Sequence, residues 1–217
     1  MNFKEIVHRR RSSRAFLDTP VPDSVITDLL SLSARAASGG NVQPWKIFVI
    51  NGEAMVRFRR FLSTREPEPA GYQIYPPSLW DPHRTARFEL GEQMYATIGI
   101  GRDDKPARFA QMAKNFDFFG APAAFFCFID RRMGPPQWSD VGMFLQTFML
   151  AATDAGLDTC PQEAWTSYTN AVTEFVGADD DLLLFCGMAI GFEDPDHPIN
   201  SLRSERLPVA DFTTFVE

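Results

Sequence analysis

The densest chemistry in the chain is Arg9-Arg10-Arg11-Ser12-Ser13-Arg14, four guanidiniums and two hydroxyls within six residues. Forked N–H donors beside small hydroxyls are the combination a phosphate monoester needs. A solvated basic stretch is the plain alternative, but the run sits between a capped helix and the apolar Ala15-Phe16-Leu17, which anchors it. A second candidate is Ser38-Gly39-Gly40-Asn41-Val42-Gln43-Pro44-Trp45. Its glycines let backbone amides approach a flat ligand, and Asn41 and Gln43 each offer a donor and an acceptor to a heterocycle edge. The same residues also read as a helix stop before a strand. The third is Cys160-Pro161-Gln162-Glu163-Ala164, a proline break that either turns N–H groups toward a ligand or is only a turn. The fourth, Arg203-Ser204-Glu205-Arg206-Leu207-Pro208, is ambiguous by itself.

Other chemistries lack their residues. There is no GxGxxG after a strand, no phosphate loop ending in GK[ST], and no GxSxG elbow. His8, His83 and His197 are scattered, so no metal site is expected. The formal net charge of −7 argues against nucleic-acid binding, because phosphate backbones reward a basic face. An anionic ligand must therefore be met by a local cluster of cations. Cys127, Cys160 and Cys186 form no CxxC pair and fit a reduced compartment. No apolar run approaches the roughly 18 residues of a membrane span, and the N-terminus lacks the apolar stretch of a secretory signal; the expected address is the cytoplasm. Twenty phenylalanines against four tyrosines point to an aromatic core or a flat pocket.

The elements that must position these groups can be read from spacing. Asn2 and Glu5 predict a capping box opening a short helix. A second helix follows Pro22-Asp23 and is expected to reach the Gly39-Gly40 stop. Lys46 to Ile50 reads as a buried strand, and Glu53 to Leu62 as a helix. Residues 64–84 hold five prolines and read as an irregular, lid-like excursion. Helices are expected over about Thr85–Ile100 and Lys105–Phe119, then a strand over Ala123–Ile129. Apolar residues nearly encircle the stretch Ser139–Ala155, which predicts a helix buried centrally or in a subunit interface. A short strand leads to Cys160-Pro161, a helix covers Tyr168–Val176, and the last strand is Leu182–Ile190. Interleaved elements without regular βαβ alternation favour a mixed sheet between helical layers.

Taken in order, these segments resemble the FMN-dependent nitroreductase family along nearly the whole chain. Arg10 to Phe16 resembles the family's RRSxRxF-like stretch, and Asn41 to Trp45 its NxQPW. Gly156 to Gln162 is similar to a Gly-Leu-x-x-Cys-Pro-Gln run, and Cys186 to Phe192 to the closing strand, with Asn200 and Arg206-Leu207-Pro208 after it. The resemblance implies one α+β domain over 1–217, a three-layer α/β/α fold with a mixed, largely antiparallel central sheet. It implies a homodimer in which the tail, 193–217, extends over the partner subunit. It also implies FMN as cofactor, NAD(P)H as electron donor, and a small aromatic acceptor, nitroaromatic or quinone-like, reduced by a ping-pong mechanism. A flavin, enone or quinone reductase with incidental nitro activity, or a non-catalytic FMN binder, are the alternatives. No catalytic side chain and no metal are required, because the flavin carries the chemistry.

By the same resemblance, Arg10, Ser12 and Arg206 hold the FMN phosphate, with Arg11 contributing through its backbone. Arg14 lies near the pyrimidine end, where a cation stabilises the charge of the reduced ring. Ser38, Gly39 and Asn41 come from the partner's side of the site, and Asn115 meets the ring edge. Pro161 packs on one flavin face, with N–H groups around Gln162, Glu163 and Ala164 directed at the ring. Family members often have Gly after the acidic residue of this turn, whereas this chain has Ala164-Trp165. In the excursion, Tyr72, Trp80 and Tyr75, with Phe88 beyond it, are expected either to face the acceptor, Tyr72 and Trp80 foremost, or merely to pack the loop down.

Overall fold

A computed structural model describes residues 1–216. Its framework is a four-stranded sheet: β1 (Trp45–Asn51), β2 (Ala123–Asp130), β3 (Asp158–Gln162) and β4 (Leu182–Gly191), in the order β1-β2-β4-β3. Every neighbouring pair is antiparallel. Among the described residues parallel pairing is confined to an isolated bridge between Ser12 and Thr159, so the expected mixed character reduces there to that one contact. The bridge matters for function, because it fastens the arginine stretch to β3.

The described residues form seven helices: α1 (Phe3–Arg9), α2 (Asp23–Ser33), α3 (Glu53–Leu62), α4 (His83–Thr97), α5 (Lys105–Ala113), α6 (Pro135–Asp154) and α7 (Thr169–Val176). Side chains alternate across β2. Phe125, Cys127 and Ile129 join α2 and α6 in one core, while Ala124, Phe126 and Phe128 join α3 and α7 in the other. Three layers result, with β2 buried from Ala123 to Ile129. One irregularity interrupts β4. Cys186 faces Cys127 but Leu184 faces Phe128, which leaves Phe185 as an extra residue. Its carbonyl accepts from the Tyr72 hydroxyl at 2.5 Å.

Several boundaries differ from the sequence expectation. α2 stops at Ser33, where Arg35 and Ala36 amides close tight turns onto Leu32 and Ser33 instead of continuing toward Gly39. α5 ends at Ala113, and a 3-10 segment covers Lys114–Gly120. Phe118 and Phe119 take left-handed φ values of 50° and 55° there, which turns both rings into buried positions no continuing helix could fill. α6 begins at Pro135, before the expected Ser139, because proline suits the first helical turn. It buries Val141, Phe144, Leu145, Phe148, Met149 and Ala152, but Gly142, Met143 and Gln146 remain exposed. α4 runs from His83 to Thr97, not Thr85 to Ile100, and contains no buried residue.

The excursion has no helix or strand from Ser63 to Pro82. Its first part is fastened by Glu68 and Gly71 amides donating to Ser167 and Thr166 carbonyls. Beyond Ser201 the tail is almost wholly exposed, including Leu207, Val209, Phe212 and Phe215. Among the described residues no helix is long and apolar enough to cross a membrane, and no cluster could hold a metal ion.

Candidate functional site

The α1 capping box forms as its spacing requires: Asn2 accepts from the Glu5 amide and Glu5 accepts from the Asn2 amide. The helix ends at Arg9, so Arg10 to Arg14 run extended along β3, with the Ser13 amide donating to the Thr159 carbonyl at 3.0 Å. Alternate residues then point to opposite sides. Ser13 turns inward, fully buried, and its hydroxyl donates to Glu193 at 3.0 Å. Arg11 pairs with the same carboxylate, which commits its side chain to holding the stretch against the end of β4. Its Nε is buried and has no hydrogen-bond partner among the described residues. Burial, then the charge of Arg203, hold its pKa below the usual arginine value.

Arg10, Arg11, Ser12 and Arg14 line a cavity of about 790 Å³ together with Arg203, Ser204 and Arg206 from the tail. Among the described residues five guanidiniums border it and no carboxylate does. Arg10 is half-buried, and burial followed by the charge of Arg206 lowers its pKa. Two like charges converging in a partly desolvated space repel, and an anion between them would relieve that repulsion. Arg206 meanwhile donates only to its own neighbours, Ser204 Oγ at 2.7 Å and the Ser204 and Glu205 carbonyls. These are local bonds that a phosphate can replace. The tail reaches this cavity because buried Asn200 clips it down: Asn200 accepts from the Arg14 amide at 2.8 Å and donates to the Ala15 and Asp194 carbonyls, both at 2.9 Å.

Arg14 also lines a second cavity of about 350 Å³, so the two spaces meet at its side chain. Cys160 to Ala164 form one side of this cavity, with Asn115 and Phe119 from the 3-10 segment. Gln162 is buried and its Nε2 donates to the Asn115 carbonyl at 2.8 Å and Oδ1 at 3.2 Å. The two amides are thereby fixed as a unit. Pro161 stays within β3, and the chain then enters a 3-10 turn over Glu163–Tyr168, whose first N–H groups have no partner inside it. Burial pushes the Cys160 thiol up to about 11, which keeps it protonated and makes it no nucleophile.

Trp165, where the resemblance left the turn uncertain, is wholly buried among Phe58, Phe116, Phe118 and Phe126. A Cβ on Gly187 would lie 2.3 Å from its Cδ1, so the glycine exists to admit this indole against the sheet. Trp165 directly follows Glu163-Ala164, which line the second cavity. Sequence reasoning missed the match of Trp165 to Gly187, because the two residues lie on different elements.

Ser38, Gly39 and Asn41 line neither cavity. They sit in a 3-10 turn over Gly39–Asn41 held by α6: the Asp140 carboxylate accepts from Ser38 Oγ at 2.9 Å and the Gly39 amide at 3.1 Å. Asn41 and Gln43 adopt left-handed φ of 58° and 51°, strain of the kind that collects at functional turns. Tyr72 and Trp80 do not reach either cavity. Tyr72 packs against Trp138 and Phe185, and Trp80 lies exposed against His83. The excursion instead contributes Ile74 and Tyr75 to the second cavity.

A cavity rich in guanidinium joined at Arg14 to a flatter one with an amide-lined edge suits an anionic group tethered to a planar heterocycle, and the residues present fit FMN. The comparisons agree with that geometry. The Nitroreductase family model matches residues 7–192. The chain is 34% identical to a 4-nitrobenzoate reductase of Pseudomonas putida, over 99% of this chain and 96% of that one. Among solved structures it is similar to the FMN and NADPH-dependent nitroreductase NfnB of sphigopyxis sp. strain HMH, at 40% identity, TM-score 0.96 and full coverage of both chains. It is also similar to the FMN-dependent nitroreductase NfnB of Mycobacterium smegmatis in complex with NADPH, at 26% identity and TM-score 0.93, covering 99% of this chain and 97% of that one.

Proposed function

The chain belongs to the nitroreductase family, and from that premise we propose a division of labour between its two cavities. The protein is an FMN-dependent oxidoreductase that takes hydride from NAD(P)H and reduces nitroaromatic acceptors. In the first two-electron step a nitroarene, NAD(P)H and a proton become a nitrosoarene, NAD(P)⁺ and water. FMN, when bound, supplies hydride transfer at N5 in both halves of a ping-pong cycle.

What the chain itself does follows from its donors. Arg10, Ser12 and Arg206 hold the phosphate in the first cavity, while Arg11, occupied by Glu193, positions the stretch and offers its backbone. Arg14, at the junction of the two cavities, would supply a cation to the ring and so stabilise negative charge on it. Pro161 would offer the ring an apolar surface, and the N–H groups of Gln162, Glu163 and Ala164, beside Asn115, would supply its hydrogen-bond donors. No side-chain nucleophile is needed, and protonated Cys160 offers none.

The working unit in this reading is a homodimer. Support comes from the Ser38–Asn41 turn, held by Asp140 with Asn41 in a left-handed conformation, which lines neither of these two cavities in its own chain. The uncovered Met143 face of α6, Phe3 and Val7 on α1, and Leu207, Val209 and Phe212 in the tail supply apolar surface for it. Of the tail expected over 193–217, the start is tied to its own chain by Glu193 and Asn200, so only the exposed part beyond Ser201 is left to lie over the partner; Glu217 is outside the described residues. Three buried, unbridged cysteines favour the cytoplasm.

The observation carrying this reading is that Arg10 and Arg206, from opposite ends of the chain, meet over a carboxylate-free cavity. The test is a visible spectrum of purified protein, then anaerobic addition of NADPH or NADH and of nitrobenzene. A yellow protein should bleach and recover its colour with the acceptor. A colourless protein that refuses FMN refutes the cofactor assignment, and a yellow one that stays oxidised is a carrier.

A further inference from the structure

The second cavity holds more donors than its walls accept. Gln111, on α5, is 6% exposed and lines it, and its Nε2 is buried without a hydrogen-bond partner among the described residues. An unpaired buried donor is costly and calls for an acceptor. Arg87, on α4, lines the same cavity with its Cζ 4.3 Å from the centroid of the Tyr75 ring. Its neighbours are otherwise engaged: Arg84 pairs with Asp81, Arg108 grips Glu92 with bonds of 2.6 and 2.9 Å, and Arg102 lies 5.1 Å over Phe88. Arg87 has no carboxylate partner among the described residues. Stacking uses the face of the guanidinium and leaves its N–H edge oriented and free. The lining holds one carboxylate, Glu163, against the two cations Arg14 and Arg87.

We propose that this cavity selects nitroarenes bearing an anionic substituent, with Arg87 the specificity-determining residue and Gln111 a second, buried donor. The inference rests on the nitroarene reading above and narrows its substrate class. A nitrobenzoate presents hydrogen-bond acceptors only, at both ends of a flat ring. The lining of the cavity offers donors from Arg87 and Gln111 and apolar surface from Tyr75, Met112 and Phe119. A carboxylate also takes both N–H groups of a guanidinium fork at once, which an ester cannot.

The test compares 4-nitrobenzoate with its methyl ester, using the FMN-loaded protein, by kcat/KM and by perturbation of the flavin spectrum without reductant. The acid should be favoured roughly five- to tenfold at low salt, the range for a partly exposed charge pair with good geometry. The ratio should shrink in high salt, collapse toward unity in Arg87→Gln, and survive in part in Arg87→Lys. Equal use of acid and ester, or the same ratio in Arg87→Gln, overturns the proposal. So does an Arg87→Gln effect confined to the KM for NADPH, which would assign the cation to the donor's phosphate. If neither compound is reduced, the nitroarene reading fails, and spectral binding of acid over ester still decides the anion selectivity.

Discussion

Replacing Arg10 by glutamine should move two measurements in opposite directions. In the apo protein Arg10 has no carboxylate partner among the described residues, its charge is partly desolvated, and its charged neighbour is Arg206. Removing the charge therefore deletes repulsion and no bond, so apo Tm should hold or rise. With FMN present the change removes a charge-assisted contact to phosphate worth about 1.5–3 kcal/mol. At 1.4 kcal/mol per tenfold, FMN binds about 10- to 150-fold more weakly. With FMN well above both dissociation constants, that loss appears in full as lost ligand stabilisation. For a chain of this size it lowers the saturated Tm by roughly 3–12 °C. Flavin fluorescence titration and paired melts with and without FMN read both numbers. Arg206→Gln should behave alike, and because both residues meet one phosphate the double variant should depart from additivity. An Arg10→Gln protein with a lowered apo Tm and an unchanged FMN affinity would refute the reasoning, since it would make Arg10 a structural residue.

Gly187→Ala would press a Cβ to within 2.3 Å of the fully buried Trp165, which has no room to retreat. Overpacking of this kind costs about 1–3 kcal/mol or more. A drop in Tm together with reduced turnover is expected, and wild-type stability would show that the indole moves freely. Burial, outweighing nearby Arg11, raises the Asp158 carboxyl above its ordinary 3.8. The folded state thus binds the extra proton between 3.8 and the raised value, and the penalty for charging Asp158 is absent below that window and complete above it. Asp158→Asn should be at least as stable as the parent near pH 7 and lose any advantage below about pH 4; a less stable variant at neutral pH refutes this. Truncation from Asp196 removes Asn200, which holds the Arg14 amide, and Arg206 with it. The shortened chain should elute as a monomer without flavin, and a yellow dimer would show that the tail does neither job.

The legible parts of this molecule are those in which residue type alone limits the choices. Arg10 to Arg14 marked a candidate anion site because few other ligands need that many forked donors, and Arg10, Arg11, Ser12 and Arg14 do line one cavity with Arg203 and Arg206. β2 declared itself because seven buried apolar residues in a row suit a central strand. The boundary of α2 was not legible, since nothing local in Ala34 to Ser38 says that Asp140, from α6, will take the Ser38 hydroxyl. The left-handed Phe118-Phe119 pair was hidden for a related reason. Phenylalanine disfavours that conformation, and only the two buried ring positions make it worthwhile. Tyr72 looked like a lid residue by composition, but the extra residue in β4 captures its hydroxyl. In each case the deciding partner is distant in sequence, and a reading that runs along the chain has no means of pairing them.

The two cavities are built with different rigidity. The Cys160–Ala164 edge belongs to β3 and to the turn locked by Trp165 and Gly187, with Gln162 tied to Asn115. Nothing there can shift without moving the core. The facing wall, by contrast, draws Arg87, Met94 and Tyr95 from α4, a helix with no buried residue, and Ile74 and Tyr75 from the irregular excursion. Low burial means that side chains on this wall change at small cost in stability, whereas changes in the edge cost folding as well as chemistry. A cofactor that must keep one orientation belongs on the locked edge, and an acceptor whose identity is open to change belongs against the wall. Substrate range can then be altered through α4 and residues 64–84 while the phosphate arginines and the Trp165–Gly187 contact stay as they are.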